Sequence, residues 1–298
     1  MISIIVPVYN GESYIERNFD SLMSQTNLNY EVIYVNDGSV DRSKQILSSL
    51  ISDKVKLINS NNHGVMAARH LGVKYALYDY ITFLDVDDIL DSNFVEIFYR
   101  EIEKNKCDMY CTNFQLLKSN NIRVKSYSLK KGNFSKKIFI NNLCRYGGWE
   151  LCGKVFEKKL FALVEYPSKV TIGEDALVLF QLAYYANKIN VLDNHLYIYI
   201  HQFNSASNIR SVEKCRDGIK AGIYIKKFLQ SKNIIDDSYL NSLILLFFSN
   251  SLTRGVLSSS DPLLKDIRMA VKIDALNLIS VKKRIIVILG IILTWMKH

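Results

Sequence analysis

Apolar positions along this chain alternate between two kinds of pattern. Short continuous runs at 3–9, 31–36, 55–58 and 80–84 are each closed by polar residues, and between them lie stretches with apolar residues every three or four positions. The runs suit strands buried on both faces of a parallel sheet, and the stretches suit amphipathic helices packed over them. The first helix is predicted behind a capping box of Ser13 and Glu16, with Tyr14, Ile15, Phe19, Leu22 and Met23 at helical spacing. Further helices are expected up to about 51, over 65–77 and over 92–105, and a further strand over 109–114. The fold class is therefore α/β, with right-handed crossovers, a mostly parallel central sheet and helices on both faces.

The second half reads differently. Residues 118–137 are polar and predict a mobile loop or hairpin, 176–186 a helix, and 196–200 a tyrosine-rich strand. After Ser211 only helices are predicted, over 219–229, 239–252 and 263–278. The tail from Ile285 to Met296 is an apolar run of about 12 residues, roughly 18 Å as a helix, against a hydrocarbon core of roughly 30 Å. It is too short to span a membrane and too apolar for water. Lys282, Lys283 and Arg284 at its start and Trp295 and Lys297 at its end are residue types that anchor a segment at headgroup level. The tail is thus expected to lie in the cytoplasmic face of a membrane, or else to be buried against the C-terminal helices or in a homodimer interface.

Charge changes this picture only at the C-terminal end. Of a net charge of +9, the stretch with Lys265, Arg268, Lys272, Lys282, Lys283, Arg284 and Lys297 against Asp266 and Asp274 holds about half. Such a bias fits an anionic membrane surface or nucleic acid, or a solvated basic helix face. Five cysteines make no disulfide framework, Cys107 and Cys111 lack the partners a zinc site needs, and a reduced cytosol is the setting expected. The N-terminus reads as the first strand, not as a secretory signal. Neither G-x-G-x-x-G after the first strand nor a P-loop occurs, so dinucleotide-binding and P-loop NTPase readings lose support.

In a sheet of this kind ligands bind outside the carboxyl ends of the strands, so the loops there are informative. The polar sets are Tyr9 with Glu12; Asn36, Asp37 and Ser39; residues 61–64 with Arg69; and Asp85 with Asp87. Each has an ordinary explanation as a turn, a cap or a surface ion pair, but four on one edge point to one site. Asp85 and Asp87, alternating on a strand, are expected to point to the same side. There they could hold a divalent ion while leaving positions open for phosphate oxygens. Glu174 and Asp175 stand at a predicted helix start, where they serve equally as an N-terminal capping pair.

Pro7-Val-Tyr-Asn10, Asp37-Gly-Ser-Val-Asp41, Asn62-His-Gly64 with Ala68-Arg69 and Gly72, and Phe83-Leu-Asp85-Val-Asp87-Asp88 occur in order over about ninety residues. Together they resemble the N-terminal half of the family 2 glycosyltransferases, of bacterial surface-polysaccharide type, which have the GT-A fold. The resemblance continues more weakly to about Ser207. It implies a catalytic region over 1–210, its nucleotide-sugar half at 1–105 and its acceptor half at 106–210, followed by a helical region over 211–298.

By that resemblance Pro7, Tyr9, Glu12, Asp37 and Ser39 would border the nucleoside, with Asp37 taking the imide N–H of the base. Arg69 would position Asp85 or the diphosphate, Asp85 would touch the ribose or a metal water, and Asp87 would ligate Mn2+ or Mg2+. Trp149 and Lys154 resemble the segment before the acceptor site, and Trp149 reads equally as a core anchor. Asp175 would be the general base beside Glu174. The tyrosine-rich strand departs from the family where Ile200 stands for a basic residue, and His201 is the nearest basic group for the diphosphate.

The implied activity is inverting, metal-dependent transfer from a nucleotide sugar, expected to be a UDP-sugar. The acceptor would be a glycan or lipid-linked glycan of bacterial surface polysaccharide or lipooligosaccharide, at the inner face of the cytoplasmic membrane, with no nucleic acid partner. A non-catalytic nucleotide-sugar or membrane scaffold of the same fold is the alternative. A haloacid dehalogenase phosphatase fits less well, since that class carries its nucleophile loop after the first strand and a glycine where Asp88 stands.

Overall fold

The computed structural model describes residues 1–117, 123–126, 129–166, 172–200 and 211–296. The chain forms two compact units. The first takes in 1–136, 150–164 and 185–202, and the second 137–149, 165–184 and 203–298. Segments 137–149 and 165–184, read from sequence with the catalytic region, thus fall in with the C-terminal helices.

The first unit is built on one sheet. Its strands are β1 (Ile2–Val8), β2 (Tyr30–Asp37), β3 (Val55–Ser60), β4 (Tyr80–Phe83), β5 (Ile89–Leu90), β6 (Met109–Leu117), β7 (Arg123–Ser126), β8 (Gly132–Phe134), β9 (Lys154–Glu157) and β10 (Ile189–Ile200). The order is β3-β2-β1-β4-β9-β6-β10-β5, with β7 on β6 and β8 on β10. The first four strands in that order pair in parallel, as do β6 and β10. Between them β9 is inserted antiparallel to both β4 and β6.

Helices α1 (Ile15–Met23), α2 (Ser43–Ser49), α3 (Val65–Tyr75) and α4 (Phe94–Lys104) follow β1, β2, β3 and β5. Ile2, Ile4, Val6 and Val8 of β1 share a buried cluster with Ile15 and Leu22 of α1, Leu47 of α2, and Phe94 and Phe98 of α4. The intervening residue Ile5 faces the other way, under α3, where a side chain at Gly72 would bring its Cβ 2.4 Å from Ile5 Cγ2. Glycine here is a packing requirement: it lets α3 close on the sheet. The capping box expected at Ser13 is not formed. Tyr14, one residue later, is the N-cap of α1 and makes no side-chain cap bond, while the N–H groups of Tyr14 and Ile15 donate to the Gly11 carbonyl.

The second unit is helical: α5 (Lys136–Tyr146), α6 (Glu174–Tyr185), α7 (Val212–Lys232), α8 (Asp237–Ser251), α9 (Leu263–Ala270), α10 (Ile273–Leu278) and α11 (Val281–Met296). Cys215, Ile219, Ile244, Leu245, Phe248, Leu264, Ile267 and Val287 make its core. The single helix expected over 263–278 is two. Val271, at φ −74 and ψ 83, makes an inverse γ-turn in which Lys272 N–H reaches the Ala270 carbonyl at 2.9 Å. Among the described residues no helix is long and apolar enough to cross a membrane.

Candidate active site

The loops after β1 and β2 are laced together. Asn10, at φ 51, turns the chain out of β1, and three successive N–H groups then donate across: Asn10 to Ser39 Oγ (3.0 Å), Gly11 to Ser43 Oγ (2.9 Å) and Glu12 to Asp41 Oδ2 (3.1 Å). In return Asn10 Oδ1 accepts from Val40 N–H at 2.9 Å and Glu12 Oε2 from Arg42 N–H at 2.9 Å. The Arg42 side chain is 77% exposed, so its ion pair with Glu12 contributes little, and the main-chain bonds set the loop. Burial pushes the Asp41 carboxyl up, but bonds from Ser43 and Glu12 outweigh it and hold the group below its ordinary range.

Pro7 sits inside a central strand, a position that normally demands an N–H. Ile5, two residues earlier and therefore pointing the same way, accepts the Leu84 N–H from the β4 side. β4 ends at Phe83, so no acceptor of that strand faces position 7 and proline is tolerated. Pro7 is buried, and Tyr9, the next residue but one, is 51% exposed at the sheet edge.

Asp37 closes β2 and pins the loop after β3. Its Oδ1 accepts from Ser60 Oγ (3.2 Å) and His63 N–H (3.0 Å), and its Oδ2 from Gly64 N–H (2.8 Å). A carboxylate accepts about four bonds, so about one place remains for an incoming donor. Gly38, at φ 72, is required at this junction, since a Cβ there would lie 2.7 Å from the Asn62 backbone nitrogen. A polar recess of about 430 Å³ opens between these loops, lined by Asn36, Ser39, Lys44, Asn59 and Asn61 among others.

Beyond β4 the chain makes a turn, with Asp88 N–H bonded to the Asp85 carbonyl at 3.0 Å. Asp85 and Asp87 therefore do not alternate on a strand; a turn, closed from the side by α1, brings them together. Asn18, buried in α1, donates Nδ2 to the carbonyls of Asp85 (3.2 Å) and Asp88 (3.0 Å) while its Oδ1 accepts from the Tyr34 hydroxyl (3.0 Å). Arg17 adds a bond to the Asp87 carbonyl at 2.7 Å. Arg69, only 3% exposed, pairs its Nη2 with Asp85 Oδ1 at 2.7 Å and lies over the Phe83 ring. Cys152 Sγ stands 3.5 Å from the other Asp85 oxygen.

These acids sit under electrostatic load. Burial first, then the charge of Asp85, raise the Asp87 carboxyl. The same two causes push Asp88 up to about 8, against the opposing bonds it receives from Tyr197 and Ile200. A divalent cation fits this donor set. Hard carboxylate oxygens favour Mg2+ or Mn2+, and a positive ion relieves the repulsion between Asp85 and Asp87. Among the described residues no group of three or more His, Cys, Asp or Glu side chains is arranged for an ion, so two carboxylates are what those residues offer at this turn.

Tyr9, Glu12, Asp37, Ser39, Arg69, Asp85 and Asp87 are thus gathered on one edge of the sheet in the first unit. Lys154 does not present its ammonium there: it is 2% exposed and donates to the Glu150 carbonyl, because β9 is buried between two strands. The acceptor role expected of it has no exposed cation to rest on. In the second unit Trp149 stacks on Phe247, with ring centres 4.2 Å apart, and donates Nε1–H to the Leu143 carbonyl. That is the core-anchor arrangement; the ring face set against Phe247 is closed to a sugar.

Glu174 and Asp175 open α6 after Gly173 at φ 88, half-buried at the positive end of the helix dipole. His201 lies outside the described residues. Sequence reasoning gave no role to Arg17, Asn18, Asp88 and Tyr197, although Asp88 stood in the acidic motif and Tyr197 in the tyrosine-rich strand. Asn18 carried a signal of its own: with Ile15 and Leu22 it occupies the inward register of α1, a polar side chain where an apolar one is expected.

The chain is similar to known proteins in sequence and in fold. The family model described as Glycosyl transferase family 2 matches residues 3–154. Glycosyltransferase GlyA of Streptococcus pneumoniae is 28% identical over 223 residues, covering 70% of this chain and 32% of the relative. The uncharacterized glycosyltransferase EpsJ of Bacillus subtilis is 29% identical over 218 residues, covering 70% of this chain and 63% of the relative. The chain thus spans about a third of one relative and under two thirds of the other. Among solved structures, S. aureus TarS 1–349 superposes with a TM-score of 0.73 at 21% identity, over 98% of this chain and 87% of that one. TarS 1–349 in complex with UDP-GlcNAc gives 0.71 at 20% identity, over 98% and 88%.

Proposed function

The chain belongs to glycosyl transferase family 2, and from that membership we propose that it moves a sugar from a nucleotide sugar, a UDP-sugar by preference, to a hydroxyl of a glycan or lipid-linked glycan. The acceptor class is that of bacterial surface polysaccharide or lipooligosaccharide, met at the inner face of the cytoplasmic membrane. The observation that carries this reading is the set of acids on the sheet edge: Asp85 clamped by Arg69 and Asp87 beside it, on the same edge as Asp37. Two phosphates do not enter so acidic an edge unless positive charge comes with them. Mn2+ or Mg2+, held by Asp87 with Asp85, would supply that charge and stabilise the departing diphosphate. TarS structures in complex with UDP-GlcNAc and with UDP support a uridine nucleotide as the donor class.

The chain's own residues then divide the work. Tyr9 covers one face of the base, and Asp37 accepts the base imide N–H at its remaining place, with Pro7, Glu12 and Ser39 shaping the rim. Arg69 holds Asp85 in one orientation. Asp175 takes the proton of the acceptor hydroxyl as it attacks the anomeric carbon from the face opposite the leaving group, which gives inversion in a single displacement.

The test is release of UDP from a panel of UDP-sugars, with and without a chelator, by the intact chain and by Asp87→Ala. Turnover of one donor that disappears in chelator and in the variant is expected. Undiminished turnover in either overturns the metal role, and no release from any donor with any divalent ion favours the scaffold alternative.

A further inference from the structure

Beyond its basic first turn helix α11 is apolar on all sides, and the second unit uses only one of them. Val287 and Thr294 are buried, and a Cβ at Gly290 would lie 2.3 Å from Leu252 Cδ1 and 3.1 Å from the Phe248 ring, so this side closes tightly on α8. The opposite side carries Val281 (65% exposed), Ile285 (52%), Ile288 (50%), Leu289 (52%), Ile292 (49%) and Leu293 (48%). Lys282 is the only charged side chain on that outward face within the helix. A helix at a water-facing surface is polar on its outer face, and one that is apolar all round is enclosed by protein or by lipid. The outward stripe runs for 13 residues from Val281 to Leu293, roughly 18 Å, parallel to the surface it covers.

Charge decides between the two enclosures. The helix begins with Lys282, Lys283 and Arg284, at the end where the helix dipole disfavours cations. Lys283 bonds the Asn250 side-chain oxygen, and Arg284 bonds the carbonyls of Ile279 and Asn277, so their partners are neutral amides. No ion pair among the described residues neutralises any of the three. The sequence holds no acid from Ala275 to His298, while Lys297 adds a cation at the far end. If a second copy laid α11 on α11, parallel packing would set basic turn against basic turn, and antiparallel packing would offer that turn no acid from α11. An anionic bilayer offers the reverse: headgroup charge for the basic turn and an acyl boundary for the aliphatic stripe.

We propose that the outward face of α11 is a membrane-binding surface that lies in the headgroup region of an anionic bilayer, with Ile285, Ile288, Leu289 and Ile292 entering the acyl boundary and Lys282 at the phosphates. This surface involves neither the donor nor the reaction, so its membrane role stands or falls apart from the proposed transferase activity.

Flotation of the full chain with vesicles tests it. The chain is expected to float with phosphatidylcholine–phosphatidylglycerol vesicles and to do so much less with phosphatidylcholine alone. Lys282→Gln is expected to weaken partition roughly fivefold, the weight of about one lysine at such a surface. Ile285→Glu with Ile292→Glu changes only outward positions, so thermal unfolding should stay near that of the parent while flotation is lost. Should the double variant unfold, Lys282→Gln and high salt still read the electrostatic part. An intact chain that stays with the buffer, or variants that float like the parent, overturn the proposal. So does a chain that dimerises through this face and ignores vesicles, which assigns it to a second copy.

Discussion

Tyr197 and Asp88, 109 residues apart, share a short hydrogen bond between the phenol of β10 and carboxylate Oδ2 in the buried heart of the acidic turn. The same phenolic oxygen accepts the Asp85 N–H at 3.4 Å, and Asp88 Oδ1 accepts the Ile200 N–H at 2.8 Å. One side chain thus ties the turn that presents Asp85 and Asp87 to the last residue of β10. In the proposed reaction Asp88 is a positioning residue: buried itself, it fixes the turn that carries Asp85 and Asp87.

Its ionisation gives the first prediction. Burial raises Asp88 to about 8 from an ordinary 3.8, so over the range between these values the folded chain holds a proton that the unfolded chain releases. The stability from this group is full below about 4 and is lost as pH rises through about 8. Asp88→Asn keeps the shape and the bond from Ile200 but removes the titration. The parent's Tm, measured without nucleotide or divalent ion, should therefore fall by several degrees more than the variant's between pH 5 and 8.5. Parallel curves would mean that Asp88 is ionised across the range.

The second concerns Arg69. Its guanidinium is buried, and its partner Asp85 is 37% exposed, so part of the ion pair is screened by water. Removing the arginine leaves a cavity and an acid with no cation, a loss of about 2 kcal/mol once that screening is allowed for. Arg69→Met is expected to lower Tm by several degrees and to weaken nucleotide-sugar binding at least tenfold, read by calorimetry. An unchanged affinity would show that Asp85 needs no orientation.

A glycine carries the third. Gly38→Ala puts a Cβ 2.7 Å from backbone that cannot swing aside, at a positive φ, so the loops after β2 and β3 must part. A loss of about 1–3 kcal/mol is expected. Because the strain falls beside Asp37, nucleotide affinity should drop more than it does for Gly64→Ala, where φ is also positive but a Cβ meets nothing within 4 Å. Equal losses for both would place the cost in the backbone alone.

What was legible in the sequence was what local chemistry specifies. The β-branched runs of β1, β2 and β4 have no other way to be buried, and Asn10-Gly11 and Asp37-Gly38 mark the turns that follow, so the edge bearing Tyr9, Asp37 and Asp85 could be read in advance. The insertion of β9 between β4 and β6 could not, because nothing in Lys154-Val-Phe-Glu157 names its neighbours; with it went the fate of Lys154. The break at Val271 was silent too, since neither Gly nor Pro marks it. Alternation wrongly put Asp85 and Asp87 on a strand. What ends β4 at Phe83 and turns the chain is a tertiary grip, from Asn18 on one side and Tyr197 on the other.

The last prediction separates two neighbouring acids at the start of α6. Glu174 and Asp175 both stand in the first turn of α6, where acids complement the helix dipole, and an N-terminal pair of this kind is ordinary helix chemistry. A base differs from a cap in what its loss changes. A general base acts only as the acceptor proton moves, so its removal lowers kcat and leaves the ground-state complex with the donor intact. Asp175→Asn is therefore expected to reduce transfer by about a hundredfold or more, with UDP affinity within twofold of the parent and an unchanged Tm. Glu174→Gln should keep most of its turnover. If Asp175→Asn instead loses Tm in proportion to activity, the aspartate is a cap. If Glu174→Gln is the dead variant and Asp175→Asn the active one, the base is Glu174.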